Sequence, residues 1–255
     1  MQNNTFSRLF LGQNVVRLSK IDSTNSYLKE ILSNSAPVPE GTVIMADEQF
    51  AGRGQSTNSW YSEPGKNLTV SLLLNPRFLS VGQQFLLNKA ISTSINDVLR
   101  QIIGNEVKIK WPNDVYFKNS KSGGILIENI IQGNQWKYAI IGIGLNVNQI
   151  EFPDLERPVS SIKKILQEDY DLERLLAEIC CAIEASYLKL RTLNFSGLSE
   201  SYLERLYRFN ELAMFKANDK LFEGTIVDVD DQGLLHIKTG EKISTYTFKE
   251  VEFIN

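Results

Sequence analysis

Apolar residues recur along the chain at two spacings, and together these spacings predict an α/β fold. Helical spacing is clearest over residues 82–103, where isoleucine, leucine and alanine repeat on one face. The same spacing predicts helices over 22–34, 169–192 and 198–209. Runs rich in isoleucine, valine and leucine instead predict buried strands, and these lie at 42–46, 68–74, 107–110, 125–131 and 137–147.

The pattern changes after residue 211, where short β-like runs are separated by polar turns. The runs lie at 213–216, 221–229, 234–238 and 245–251. Strands at this spacing are typical of a small β-barrel. The sequence therefore predicts an α/β domain over 1–208, followed by an all-β module over 209–255.

Composition narrows the class of protein. Hydrophobic residues make up 42% of the chain, charged residues 22%, and the net charge is −3, which is ordinary for a globular protein. An acidic balance argues against a DNA-binding protein, which needs a basic surface. No run approaches the roughly 20 apolar residues that cross a bilayer, and the N-terminus lacks the apolar segment of a signal peptide. We expect a cytoplasmic protein without a membrane partner.

Histidine and cysteine are too scarce for several kinds of chemistry. His236 is the only histidine, and Cys180 and Cys181 are adjacent within a predicted helix. A mechanism with a histidine base, or a metal site built from histidine and cysteine, is therefore nearly excluded. We expect no protein-ligated metal site, and we interpret the cysteines as small apolar residues.

A long polar loop between two predicted strands is the first candidate for chemistry. It contains Gly52-Arg53-Gly54-Gln55 and, further on, Trp60. Closely spaced glycines let backbone N–H groups approach an anion, and an arginine can bind a phosphate with two hydrogen bonds. The alternatives are a plain flexible turn, and a tryptophan that packs back onto the core.

The second candidate is the run Lys110-Trp111-Pro112-Asn113-Asp114. Pro112 should end the strand, which places Asn113 and Asp114 at a rigid corner beside Lys110. Strand ends are favoured positions for small-molecule sites. Lys121 follows seven residues after Asp114, and its alternative interpretation is a solvated lysine in a turn.

The third candidate is Gly142-x-Gly144 within a predicted strand, followed by Asn146 and Asn148. It lacks the third glycine of a dinucleotide-binding motif. Glycine inside a strand more often marks the close approach of a ligand or another backbone. Both asparagines are then expected to face whatever approaches.

These three segments, in this order and spacing, resemble those of biotin–protein ligases, and the resemblance runs from Ile21 to about Val251. It implies a mixed-sheet α/β domain like that of class II aminoacyl-tRNA synthetases, followed by an SH3-like barrel. It also implies two catalytic residues, Arg53 and Lys121. The implied biotin-binding residues are Ser23, Thr24, Asn25, Gln49, Gly52, Arg53, Lys121, Gly123 and Gly124. The implied nucleotide-binding residues are Arg53, Gln55, Trp60, Asn67, Lys110, Asn113, Asp114, Lys121 and Asn146.

The chain departs from many relatives at Gln55, where they have a second arginine that helps to hold the reactive adenylate. Glutamine keeps hydrogen-bonding capacity but carries no charge. Retention of the intermediate is therefore expected to depend more on Arg53, Lys66 and Lys121.

The resemblance implies that ATP, with Mg²⁺ on its phosphates, activates biotin as biotinyl-5′-AMP. A lysine of a biotin carboxyl carrier domain then accepts the biotin. Such steps need positioning and positive charge more than an enzyme nucleophile. The nearest alternative is a lipoate or octanoate ligase or transferase of the same fold.

Some relatives also repress transcription through an N-terminal helix-turn-helix module. Only 22 residues precede Ser23, so we expect the monofunctional type, without that module and without DNA binding. A catalytically inactive scaffold is a further alternative, although the charged positions that the chemistry needs are present. An exposed sheet edge is a possible homodimer contact or an acceptor-binding surface.

Overall fold

The computed structural model describes residues 9–34, 37–56, 58–153 and 157–254. The helices within these ranges are α1 (Thr24–Ser33), α2 (Gln84–Ile103), α3 (Ile162–Leu166), α4 (Leu172–Arg191) and α5 (Leu198–Glu204). The strands up to residue 145 are β1 (Val15–Ile21), β2 (Val43–Gln49), β3 (Leu68–Leu74), β4 (Val107–Lys110), β5 (Asp114–Phe117), β6 (Ser120–Gln132) and β7 (Gln135–Leu145). The later strands are β8 (Leu212–Ala217), β9 (Lys220–Val229), β10 (Leu235–Thr239), β11 (Lys242–Tyr246) and β12 (Glu252–Phe253).

The first seven strands form one mixed sheet in the order β1-β2-β3-β7-β6-β5-β4. β1 and β2 are parallel, because α1 carries the chain back between them. The other neighbouring pairs are antiparallel. This arrangement confirms the predicted mixed-sheet α/β class.

The two faces of this sheet are covered differently. α2 and α4 pack on one face, where alternate residues of β3 such as Val70 and Leu72 join the main apolar core. α1 covers part of the other face through Leu28, which packs against Leu73 and Ile140. The remainder of that second face is open, and the candidate site lies there.

The last five strands form a separate antiparallel sheet in the order β11-β10-β9-β8-β12, which agrees with the predicted SH3-like module. Its core is shared with the first domain, since Ile109 and Trp111 pack against Phe215 and Ile226. The indole Nε1 of Trp111 also donates a hydrogen bond to the carbonyl oxygen of Gly233 at 3.0 Å.

A buried lysine on α2 forms a polar contact with a turn of the C-terminal sheet. The side chain of Lys89 on α2 is 1% exposed, and its Nζ lies 3.1 Å from Asp231 Oδ1 and 3.0 Å from Ser199 Oγ. Asp231 belongs to the turn between β9 and β10. The C-terminal sheet is thus fixed by an ion pair as well as by apolar packing.

Most of the predicted elements are confirmed, and some differ. β1, β5 and α3 were not predicted; β5 is only four residues long and follows Pro112, at which the sequence predicts the end of a strand. The predicted strand over 245–251 is wrong, because β11 ends at Tyr246 and a turn precedes β12. Ser23 is the N-cap residue of α1, but its side chain makes no capping hydrogen bond. The domain boundary at residue 208 stays a prediction.

Within the described ranges, no helix combines the length and apolar character that a membrane-spanning segment requires.

The Lys89 contact generates a test of stability. Asp231→Asn removes the carboxylate and leaves a buried ammonium with weaker partners, so we expect a loss of about 1–2 kcal/mol in the free energy of unfolding. Asp219→Asn is the matched control, because its partner Lys216 lies on the surface, and it should cost less than about 0.5 kcal/mol. Urea denaturation measures the free energy of unfolding of both variants. Equal losses would contradict a stabilising role for the Lys89–Asp231 ion pair.

Candidate active site

A cavity of about 800 Å³ opens on the uncovered face of the seven-stranded sheet. The N-terminus of α1 and the loop after β2 border it on one side. The turn between β4 and β5 and the residues Phe248 and Val251–Phe253 border it on the other. A cavity of this size is in the range of small-molecule sites.

Three glycines form the floor of the cavity. A Cβ atom at Gly142 would lie 2.6 Å from Asn25 Oδ1, and one at Gly144 would lie 2.6 Å from the ring of Trp60. A Cβ atom at Gly124 would lie 3.1 Å from Asp114 Oδ1. Gly124 and Gly144 are direct neighbours across the sheet. The close approach predicted for the strand glycines is therefore present, and it is made by the side chains of Asn25 and Trp60.

A hydrogen-bonded polar group occupies the end of the cavity near α1. Gln49 Oε1 accepts hydrogen bonds from the backbone N–H and the hydroxyl of Thr24, at 2.7 and 3.0 Å. The hydroxyl of Ser71 lies 2.7 Å from Thr24 Oγ1 and 2.5 Å from Asn25 Oδ1. These side chains are held by one another, so this end presents fixed donors and acceptors.

Cationic side chains gather at the opposite end. Lys121 Nζ lies 2.5 Å from Asp114 Oδ1, and Arg157 lies 4.0 Å from the other oxygen of the same carboxylate. Lys121 belongs to β6 and its side chain is 15% exposed, so the interpretation as a solvated lysine is wrong. Burial lowers the pKa of Lys121, and Asp114 opposes that change.

Lys110 lies beside this pair, in an aromatic environment. Its Nζ lies 4.8 Å from the ring centre of Tyr116, 5.0 Å from that of Phe253, and 3.2 Å from the hydroxyl of Tyr116. Burial lowers the pKa of Lys110 to about 8, although Asp114 raises it. Lys110, Lys121 and Arg157 all interact with the carboxylate of Asp114, and this gathering of cations favours an anionic ligand at this end of the cavity.

The loop after β2 folds over the cavity as a short hairpin. Arg53 and Ser59 form an antiparallel bridge, and Trp60 N–H donates to Gly52 O at 2.9 Å. The indole of Trp60 lies on Gly144 in the cavity, so it does not pack back into the apolar core as the alternative required. The guanidinium of Arg53 lies at the rim, paired with Glu128.

The structure brings most of the predicted site residues to one cavity. Those that line it are Ser23, Thr24, Asn25, Gln49, Arg53, Gln55, Trp60, Lys110, Asn113, Asp114, Lys121, Gly124 and Asn146. Two of them also brace the surrounding backbone: Asn113 Nδ2 donates to Ile125 O, and Asn146 Nδ2 donates to Ser160 O at 3.0 Å.

Asn67, Gly52 and Gly123 do not line the cavity. Asn67 is buried, and its amide bonds Ser62, Gln149 and the backbone N–H of Val147 instead. A Cβ atom at Gly52 would lie 2.4 Å from Trp60 O, and one at Gly123 would lie 2.5 Å from Gly144 O. Gly52 and Gly123 allow close packing behind the site, and the assignment of the three residues as ligand contacts stays a prediction.

Lys66 and Asn148 are likewise placed elsewhere. Lys66 is exposed and lies outside the cavity lining. Asn148 exchanges two hydrogen bonds with the backbone of Tyr170, at 2.9 and 2.8 Å. The amide of Asn148 is therefore turned away from the cavity, whereas that of Asn146 lines it.

Several residues at the site were not predicted from sequence. Thr69 and Ser71 are polar residues in a fully buried strand, and this contrast was a usable signal. The hydroxyl of Thr69 has no hydrogen-bond partner within the described part of the chain. Arg157 and Glu128 carried no comparable signal, because only the fold brings them to Asp114 and Arg53.

Sequence comparisons with known proteins identify the family to which this chain belongs. The sequence profile of the Biotin/lipoate A/B protein ligase family matches residues 18–146. The bifunctional ligase/repressor BirA of Bacillus spizizenii is 30% identical over 95% of this chain and 74% of its own. The biotin–[acetyl-CoA-carboxylase] ligase of Paracoccus denitrificans is 28% identical, over 87% of this chain and 92% of its own.

A solved structure is similar over nearly the whole chain. The biotin protein ligase from Aquifex aeolicus, in complex with biotin and ATP, superposes with a TM-score of 0.78 at 27% identity. The match covers 94% of this chain and 98% of that one. The chain belongs to the biotin/lipoate A/B protein ligase family.

The contact between Trp60 and Gly144 generates a spectroscopic prediction. In Gly144→Ala the new methyl group would displace the indole of Trp60. We therefore expect acrylamide to quench the tryptophan fluorescence more strongly than in wild type. Gly142→Ala is the matched control, since its methyl group meets Asn25 and no tryptophan. Identical quenching in the two variants would contradict the position of Trp60.

Proposed function

We propose that the protein is a biotin–protein ligase that uses ATP to attach biotin to a lysine of an acceptor protein. One observation carries the proposal. A single cavity joins a neutral polar end to a cationic end across a floor of glycines, in a chain that resembles a biotin- and ATP-bound ligase over 94% of its length. Biotin has this division itself, with a neutral ureido ring at one end and a carboxylate at the other.

The two ends of the cavity fit the two ends of the substrate. Thr24, Asn25 and Gln49 offer both donors and acceptors, as a ureido group requires. The acyl chain would cross Gly142 and Gly144, and the carboxylate would reach Lys121. A lipoate or octanoate substrate has no ureido group, and that alternative is not favoured.

The first step joins biotin to the nucleotide. A carboxylate oxygen of biotin attacks the α-phosphorus of ATP, the bond to the β-phosphate oxygen breaks, and pyrophosphate leaves. Lys121 and Arg53 are the proposed catalytic residues, because their charges offset the crowding of anions around the α-phosphate. Lys110 and Arg157 extend the same field along the phosphates. Because Gln55 carries no charge, these cations would supply the charge that many relatives add with a second arginine.

In the second step the amine of the acceptor lysine attacks the acyl carbon of biotinyl-5′-AMP. AMP leaves with the bridging oxygen, and the nitrogen loses a proton to form the amide. Trp60 and the loop around Arg53 would cover the anhydride and limit its hydrolysis. The remaining nucleotide contacts would come from Asn113, Asp114 and Asn146.

Mg²⁺ belongs to the proposal as an ion that arrives on the phosphates. Among the described residues, no group of three or more histidine, cysteine or acidic side chains converges on one point. The cavity offers the carboxylate of Asp114 as one oxygen ligand, which fits an ion held mainly by phosphate oxygens and water. Its charge would further offset the phosphate anions.

The partners and the location follow as parts of the same proposal. The acceptor is a biotin carboxyl carrier domain of a biotin-dependent carboxylase, and the reaction takes place in the cytoplasm. The net charge of −3 favours a protein that does not bind DNA. β1 forms an open edge of the main sheet and offers a surface for a homodimer; sedimentation would measure the oligomeric state.

A direct assay tests the proposed activity. The protein is incubated with biotin, ATP, Mg²⁺ and a carrier domain, and the intact mass of the carrier is measured. We expect a gain of one biotinyl group that requires ATP. Calorimetry with biotin and with lipoate tests the substrate class, and tighter binding of lipoate would contradict the proposal.

Lys121→Ala should slow formation of the adenylate by on the order of 10³-fold, because the charge beside the α-phosphate is lost. Biotin-dependent exchange of pyrophosphate into ATP measures this step separately from transfer. Lys108→Ala is the matched control, since Lys108 lies outside the cavity and binds the backbone of Glu204. Near-normal exchange in Lys121→Ala would refute its role.

The lowered pKa of Lys110 predicts that the affinity for ATP depends on pH. Its pKa is lowered to about 8, so its charge is present below pH 8 and lost as the pH rises through 8. We expect affinity for ATP to fall by up to about tenfold between pH 7 and 9. Lys110→Arg keeps its charge at both values and should show a flat profile by calorimetry. Parallel profiles would exclude Lys110 as the titrating group.

A further inference from the structure

Glu128 accepts hydrogen bonds from two elements beside the cavity, α1 and the loop after β2, yet it has no role in the steps above. It lies on β6, near the end of the cavity that α1 covers, and its side chain is 18% exposed. Asn25 donates to Glu128 Oε2 at 2.8 Å, and Lys29 donates to Glu128 Oε1. Arg53 binds the two oxygens at distances of 3.1 and 2.6 Å.

One carboxylate thus serves two cations. Burial opposes its ionisation, but the hydrogen bonds from Lys29, Asn25 and Arg53 outweigh burial and hold the pKa of Glu128 below its usual value. Glu128 is therefore ionised in the ligand-free protein. The pair with Arg53 is bidentate, which is the strongest form of such a contact.

The two cations are attached to different kinds of structure. Lys29 and Asn25 belong to α1, which packs on the sheet, whereas Arg53 belongs to the loop over the cavity. A carboxylate that loses its only partner pays a large desolvation cost. If Arg53 leaves, Glu128 still keeps Lys29 and Asn25, so the departure of Arg53 is inexpensive.

We propose that Glu128 is a positioning residue that holds Arg53 at the rim of the cavity until an anionic ligand takes the guanidinium from it. The ligand group is the carboxylate of biotin or the α-phosphate of its adenylate, so the inference rests on the proposed function. Lys29 sets the balance, because it competes with Arg53 for the same carboxylate. Ligand binding then exchanges the ion pair between Arg53 and Glu128 for one between Arg53 and the ligand.

Two substitutions shift this exchange in opposite directions. Glu128→Gln weakens the hold on Arg53, and Lys29→Met strengthens it. The probe is biotinol-5′-AMP, an unreactive phosphodiester analogue of the adenylate, and calorimetry measures its Kd. We expect Glu128→Gln to lower the Kd about three- to tenfold and Lys29→Met to raise it by a similar factor. A merely structural role would make both variants bind more weakly.

The two substitutions would also shift the Kd in opposite directions if they acted only through the general electrostatic field of the cavity. Repeating both in an Arg53→Met background separates this explanation from a direct hold on Arg53. With the guanidinium absent, both substitutions should change the Kd less than about twofold. Glu48→Gln and Lys20→Met are matched controls, because they alter the same charges in a surface pair on β1 and β2. Shifts in one direction, or shifts that persist in Arg53→Met, would overturn the proposal.

Proteolysis tests the contact between Glu128 and Arg53 in the absence of ligand. Trypsin should cleave after Arg53 faster in Glu128→Gln than in wild type, and more slowly in Lys29→Met. Equal rates in the three proteins would also count against the hold on Arg53. If the wild type bound neither biotin nor the analogue, the proposed function would fail, and the proteolysis result would still decide whether Glu128 holds Arg53.

Discussion

The main sheet packs one face beneath α2 and α4 and carries glycines on part of the other, and the rest of the structure depends on that asymmetry. Strand alternation sends Val70 and Leu72 into the core beneath α2 and α4. The same alternation sends Thr69 and Ser71 to the opposite face, beside Gly142 and Gly144. The side chains of Asn25 and Trp60 can lie against this backbone only because glycine occupies positions 142 and 144.

Electrostatics then divides the cavity. Its neutral end is a closed network around Thr24 and Ser71, whose partners are already fixed before a ligand arrives. At its cationic end, Lys110, Lys121 and Arg157 share the carboxylate of Asp114. Desolvated positive charge of this kind is costly to the apo protein and favourable to a polyanionic substrate. Part of the cost is offset by the aromatic rings around Lys110.

The sequence predicted most of the fold because periodicity is a local signal. The helical spacing over 82–103 and the apolar runs of β3 and β7 specify their elements without tertiary information. β5 was missed because Pro112 lies in the turn of a hairpin, and the strand resumes directly after it.

The site was partly predictable for a different reason. Motif residues such as Lys121 and Asn146 line the cavity, whereas Asn67 sits in an equally specific motif but faces Gln149. Which way an amide points depends on loop packing, which no spacing encodes. Glu128 could not be found at all, since its contact with Arg53 spans 75 positions of sequence.

The shared core beneath the C-terminal sheet bears on how this chain can be divided. Ile109 and Trp111 carry the turn that holds Asp114, and they are buried by residues of β8 and β9. A fragment cut near residue 208 would present these side chains to water and leave Lys89 without Asp231. The small module therefore completes the interior of its neighbour.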